Sequence, residues 1–274
     1  MRNQKNFETM KNFTALFFIF LLISCKNEST KNDALKTGAA TTKSIVEQRE
    51  FPAFMDSLFA KHGGYDAWQI QNYLTFGIQK PDGLETHQID LKRRRDKIAT
   101  EKFSLGFDGK TVWLKQDSAY FKGNPKFYHN LMFYFYAMPF VLGDKGINYG
   151  EAENLVYEGT IYKGVKISYE SNVGDSPEDN YYLYADPQTG RMAWLGYTVT
   201  FFSGASSDKL SYIRYAGWDT FDGLLLPTRL EWHEYKNGKL GGIANTVNFS
   251  NISIQNANPS VVDFSRPEGS IVFE

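Results

Sequence analysis

From Trp68 onward, apolar and polar residues alternate in short runs, each closed by turn-forming residues. "YLTFGIQ" (73–79) leads through Pro81-Asp82-Gly83 into "ETHQIDL" (85–91), and "KFSLGF" (102–107) leads through Asp108-Gly109 into "TVWLKQ" (111–116). The second half repeats the style in "YKGVKISYES" (162–171), "YYLYA" (181–185) with the turn "DPQTG", "MAWLGYTVTFF" (192–202) and "LSYIRYAGW" (210–218). It ends on "LLPTRLEWHEY" (225–235), the turn "KNGK" and "GIANTVNFSNISI" (242–254). A period of two punctuated by such turns predicts antiparallel hairpins. Strand–helix–strand alternation is missing and no internal repeat is visible, so a mainly β domain with a few helices (α+β) is expected.

Two segments break that rhythm. Phe51, Phe54, Met55, Leu58 and Phe59 recur at helical spacing, and Gly63-Gly64 offers a left-handed stop, which predicts a helix over Phe51 to His62. The second is "FYHNLMFYFYAMPFVLGD" (127–144). Asn124 is a good N-cap and Pro125 suits the first helical position, so the pattern predicts a helix running from there until Pro139. Phe127, Leu131, Phe135 and Met138 share one side, while Tyr128, Met132 and Tyr136 share another, leaving only His129 and Asn130 as polar relief. A helix apolar all round must be covered all round. Two arrangements do this. In one, the segment is plain core under a sheet. In the other, it is a lid or plug over a cavity in a strongly curved sheet, with Phe127, Leu131, Tyr134, Phe135, Met138 and Phe140 facing a hydrophobic ligand.

The N-terminus has a different grammar. Arg2, Lys5 and Lys11 precede the apolar run "FTALFFIFLLI" (13–23) and Ser24-Cys25, which is the layout of a secretory signal and is too short to span a bilayer. Leu22-Ile23-Ser24-Cys25 resembles the lipobox of bacterial lipoproteins, which implies cleavage after residue 24 and acylation of Cys25. Residues 26–44, rich in Lys, Thr, Asn and Ala, predict a flexible tether of about 25 Å reach. The expected organisation is a signal at 1–24, a tether at 25–44 and one domain at 45–274.

Composition then removes function classes. A formal net charge of -1 gives no global field for nucleic acid. With Cys25 as the sole cysteine, the mature chain can form no internal disulfide and has no catalytic thiol. "EWHEY" places Glu231 and His233 on one strand face, but position 237 is Asn and completes no zinc motif. With Trp232 inward, both polar neighbours are expected in solvent. No nucleophile elbow or phosphate loop is present, so no enzyme, metal or cofactor is expected. The run Lys92-Arg93-Arg94-Arg95 reads as a solvated strand edge. Its sharper alternative is a set of headgroup contacts through Arg93 and Arg95.

"AKHGGYDAWQIQNYLTFGI" (60–78), "FYHNLMFYFYAMPFVLGDKGINY" (127–149), "YYLYADPQTGRMAWLGYTVTF" (181–201) and "FDGLLLPTRLEW" (221–232) resemble an uncharacterised family of Bacteroidota-type envelope lipoproteins. That family is distantly similar to the LolA/LolB lipoprotein-carrier superfamily. The resemblance implies an incomplete antiparallel β-barrel wrapped around helices, with a cavity for lipid or lipoprotein acyl chains. By analogy with enteric lipoproteins, in which Asp after the cysteine retains the protein in the inner membrane, Lys26 points to an outer-membrane home. The periplasmic face is favoured, with the cell surface as alternative, and envelope proteins are candidate partners. The competing function is a structural or accessory lipoprotein with a filled barrel that acts through protein contacts.

Overall fold

The computed structural model describes residues 49–170 and 178–274. The predicted signal, the tether and Cys25 lie outside the described residues. The compact unit containing the described residues runs from Arg49 to Glu274.

Helix α1 (Ala53–Lys61) and helix α2 (Tyr65–Gln69) come first. The first five strands follow as a meander: β1 (Tyr73–Lys80), β2 (Gly83–Asp90), β3 (Arg95–Ala99), β4 (Phe103–Phe107) and β5 (Val112–Gln116). After helices α3 (Pro125–Tyr128) and α4 (Leu131–Tyr136) and a 3₁₀ turn at Phe140–Gly143 come β6 (Ile147–Glu151), β7 (Leu155–Tyr157) and β8 (Thr160–Tyr169). The long hairpins β9 (Tyr181–Ala185), β10 (Met192–Tyr197), β11 (Ser211–Phe221), β12 (Leu224–Lys236) and β13 (Lys239–Gln255) complete the second half, and β14 (Ile271–Phe273) closes the chain.

All pairings are antiparallel, and their order is β14-β5-β4-β3-β2-β1-β13-β12-β11-β10-β9-β8-β6, with β7 folded back on β8. The two meanders meet where β1 pairs with β13. The ends of this path, β14 and β6, do not pair among the described residues, so the sheet is open and not a closed barrel.

One core fills most of the concave side. Leu74 and Phe76 of β1, Leu183 of β9, Leu195 of β10, Leu230 of β12 and Phe249 of β13 all pack with α1, α4 and the 3₁₀ turn in the same cluster. Strands so far apart in the sheet reach common partners only because the sheet curls around the helices. Trp68 stacks on Phe140 with centroids 4.9 Å apart, and Phe59 stacks on Phe140 at 6.2 Å. The 3₁₀ turn is held close: Tyr65 donates its hydroxyl to the Gly143 carbonyl at 2.6 Å, and Arg49 donates to the same oxygen. Any Cβ at Gly143 would sit 2.2 Å from the Tyr65 ring, so only glycine fits that contact.

The helix expected from Asn124 to Pro139 is broken in two. Asn124 caps it as expected, its side chain accepting from the N–H groups of Lys126 at 2.9 Å and Phe127 at 3.4 Å. The break falls at His129 and Asn130, where His129 is drawn to Asp96 of β3 at 2.6 Å. Breaking there lets α3 cover β2 to β5 while α4 turns into the main core. An unbroken helix could not present its apolar surface to both.

Candidate functional site

A cavity of about 440 Å³ remains between α4 and the concave ends of β8, β9 and β10. Its size falls in the range of small-molecule sites, about 300–1,000 Å³. Ring stacking builds the sheet side. Tyr181 lies directly across from Tyr197 in the β9–β10 pairing, and Tyr169 at the end of β8 meets Tyr181 edge-on at 5.8 Å. Trp232 of β12 forms part of the floor, its indole N–H donating to the Tyr197 hydroxyl at 3.0 Å. Opposite them, Phe135 of α4 meets Tyr197 at 5.0 Å and Trp232 edge-on at 5.8 Å. The helix is pinned at this height by Tyr215, whose hydroxyl donates to the Phe135 carbonyl at 2.6 Å.

Four of the six residues expected to face a ligand line this cavity: Phe127, Leu131, Tyr134 and Phe135. Met138 and Phe140 do not. Both are fully buried behind α4, where Phe140 is the centre of the aromatic stack with Trp68 and Phe59. Past α4 the chain turns inward, and the residues after Tyr136 fill space that a longer helix would have left open. Phe127 sits at the rim, 5.2 Å from Phe201 and 5.0 Å from Phe202, and Phe202 is 69% exposed.

The tyrosine half of the wall, Tyr169, Tyr181 and Tyr197, was missed in the sequence, as were Trp232 and the polar residues Asp144 and Asp179. Asp179 is buried and accepts from the Thr200 N–H at 2.7 Å and, weakly, from the Thr198 hydroxyl at 3.5 Å. Burial pushes its carboxyl above the usual range, and these hydrogen bonds offset that only in part. Asp144 is also raised by burial, against the opposing pull of Arg94 and Arg49. Arg94 reaches it at 2.5 Å.

The basic run forms a turn, not a strand edge. Asp90 accepts from the N–H groups of Lys92 at 3.1 Å and Arg93 at 3.0 Å, and Arg94 takes φ 55°, so the run forms the β2–β3 turn. Arg95 is buried and pairs with Asp90 at 2.5 Å. Arg93 stays exposed, 3.6 Å from the same carboxylate. Arg94, which carried no role in the sequence, is the one whose partner lines the cavity.

Two buried polar groups anchor α3 to the sheet. Tyr128 donates to both oxygens of Glu85, at 2.8 and 3.0 Å, and His87 lies 3.0 Å from Glu85. Burial raises the Glu85 carboxyl, but His87, Lys80 and Tyr128 more than offset it, and it ends below its ordinary range. Asp96, paired with His129, is raised because burial outweighs its partners. None of these five residues lines the cavity. Nor are Glu231 and His233 in solvent as expected. Trp232 does face inward, but the outer face is itself covered by β7: Tyr157 packs edge-on against Trp194 at 4.9 Å and against His233 at 5.4 Å. Both polar residues are consequently buried, with Arg229 pairing Glu231 at 2.7 Å. Among the described residues no group of three or more His, Cys, Asp or Glu is placed to hold a metal ion.

Solved structures similar to this chain include a LolA superfamily protein from Nitrosomonas europaea, at 13% identity over 77% of this chain and 96% of that one, TM-score 0.44. A DUF1329 family protein from Desulfovibrio piger follows at 11% identity, 77% and 98% coverage and TM-score 0.42. A putative outer membrane lipoprotein-sorting protein domain from Vibrio parahaemolyticus has 12% identity, 77% and 94% coverage and TM-score 0.38. At such identities these are likenesses of fold. No curated protein matches the chain. A family model matches residues 11–211, well over half of the 274, and the chain belongs to that family, the family of unknown function DUF6503.

Proposed function

We propose that the chain is a lipid-anchored envelope protein that holds a hydrophobic ligand, a lipid or the acyl chains of a lipoprotein, in the cavity under α4 without catalysis. The observation that carries this reading is the hollow itself, walled by Leu131, Phe135, Tyr181, Tyr197 and Trp232 where a well-packed core would have no void. Each methylene buried there contributes about 0.8 kcal/mol. A tail of about ten methylenes thus offsets an association cost of several kcal/mol. The imidazoles of His87, His129 and His233 are buried in packing away from the cavity, which supports a binding role over a catalytic one. In this reading Cys25 carries the acyl anchor, residues 26–44 tether the domain to the outer membrane, and the periplasmic face is its place. Arg93 remains the candidate for headgroup contact.

The second reading is an accessory lipoprotein acting through protein contacts. It is favoured by the filling of the rest of the concave side with Phe59, Trp68 and Phe140. Native mass spectrometry of the purified chain separates the two. Co-purifying lipid is the expected result; a clean apo spectrum with no uptake of a neutral fluorescent hydrophobe would favour the second reading. For the anchor, Cys25→Ala is expected to release the protein from membranes, and unchanged sedimentation would contradict it.

A further inference from the structure

The polar part of the cavity says more about the ligand than its apolar part. Asp179 is only 7% exposed, lies on the wall, and is paired with no Lys or Arg among the described residues. Its hydrogen bonds come from the hydroxyl and amide of Thr200 and the hydroxyl of Thr198, neutral donors that leave its charge uncompensated. A buried carboxylate in that position is costly until a cation or strong donor reaches it. The cations nearby are already engaged. Arg94 is held by Asp144 at 2.5 Å, and Lys145 has a partner of its own. Beyond Asp144, Lys145 and Asp179, the polar lining is Asn130, Thr198 and a set of aromatic residues, Tyr169, Tyr181 and Tyr197 with Trp232, a ring type that attracts cations.

We propose that the cavity selects an amphiphile whose head is a hydrogen-bond-donating amine, with Asp179 as its counter-charge, and rejects the same tail carrying a carboxylate. An anionic head would be placed in a poorly hydrated site beside a like charge, without a free cation to answer it. An ammonium head supplies the charge that the protein leaves out, and the tyrosine rings contact its flanks. This deepens the proposed ligand-binding role and rests on it.

The test uses the purified full chain loaded with the neutral probe N-phenyl-1-naphthylamine, displaced by dodecylamine, dodecanol or laurate. Dodecylamine is expected to displace the probe at least about tenfold more tightly than laurate, a difference of about 1.4 kcal/mol. Asp179→Asn, close to isosteric, is expected to bring the amine and the carboxylate within about twofold of each other by weakening the amine. Equal affinity of laurate and dodecylamine in the wild-type chain would overturn the proposal whether or not the variant folds. So would a preference that survives Asp179→Asn. In either case dodecanol displacement would leave the hydrophobic-ligand reading standing. Failure of the probe to bind, or of every ligand to displace it, would overturn both.

Discussion

Trp232 donates its indole N–H to the hydroxyl of Tyr197 at 3.0 Å, which fixes the indole ring across the cavity floor. No other tryptophan lines the cavity: Trp68, Trp113 and Trp194 are buried elsewhere, and Trp218 stacks on Tyr215. Ligand entry is therefore expected to shift or quench the intrinsic emission through Trp232. Trp232→Phe should abolish that change while binding, followed by an extrinsic probe, persists. An unchanged ligand-dependent signal in the variant would place the ligand somewhere else.

Leu131 and Phe140 were grouped in the sequence, but the structure separates their roles, and substitutions should reveal the difference. Leu131 is half-buried on the cavity wall, so Leu131→Trp should fill the hollow and block uptake with stability within about 1 kcal/mol of wild type. Phe140→Ala removes the centre of a fully buried stack and should cost about 3–5 kcal/mol. Urea unfolding of both variants checks this.

His62 gives the fold a defined acid weakness. It donates from Nδ1 to the Leu225 carbonyl at 3.2 Å and accepts at Nε2 from the Met192 N–H at 3.0 Å, an arrangement that requires the neutral ring. Burial, chiefly, lowers its pKa to about 4. Between pH 6.5 and 4 the unfolded chain takes up this proton and the folded chain does not, so stability is full above 6.5 and falls as pH drops toward 4. The loss is about 3 kcal/mol at about 1.4 kcal/mol per pH unit. His62→Gln should flatten that part of the pH–stability curve, and an equally steep curve in the variant would contradict the assignment.

His129 and Asp96, 2.6 Å apart, join the break between α3 and α4 to β3. His129→Ala should cost about 2 kcal/mol, in the range of charge-assisted hydrogen bonds. A double-mutant cycle with Asp96→Asn should show coupling of at least about 1 kcal/mol. Additive losses would mean that the contact contributes no more than its separate packing.

How far the sequence reveals this molecule depends on whether a signal is local. The hairpins flanking Asp108-Gly109 and Asn237-Gly238 were legible because alternation and turn chemistry lie within a few residues. β3 was not, since its inward side carries Asp96 beside Ile98 and so reads as polar. The basic run hid a turn for a similar reason: Asp90 organises it through side-chain hydrogen bonds that composition does not show. Asn124 announced a helix correctly, but the break at His129 depends on a partner 33 residues away. The cavity was half legible. Phe127, Leu131, Tyr134 and Phe135 stand in one apolar segment, while Tyr169, Tyr181, Tyr197 and Trp232 come from four strands that only tertiary pairing brings together.

The central claim is that the hollow between α4 and β8–β10 receives hydrocarbon. Titration of the wild-type chain and of Leu131→Trp with N-phenyl-1-naphthylamine, at matched thermal stability, tests it most directly. Saturable one-to-one uptake by the wild type, lost in the filled variant, is the predicted result. Equal uptake by both proteins, or none by the wild type, would contradict it.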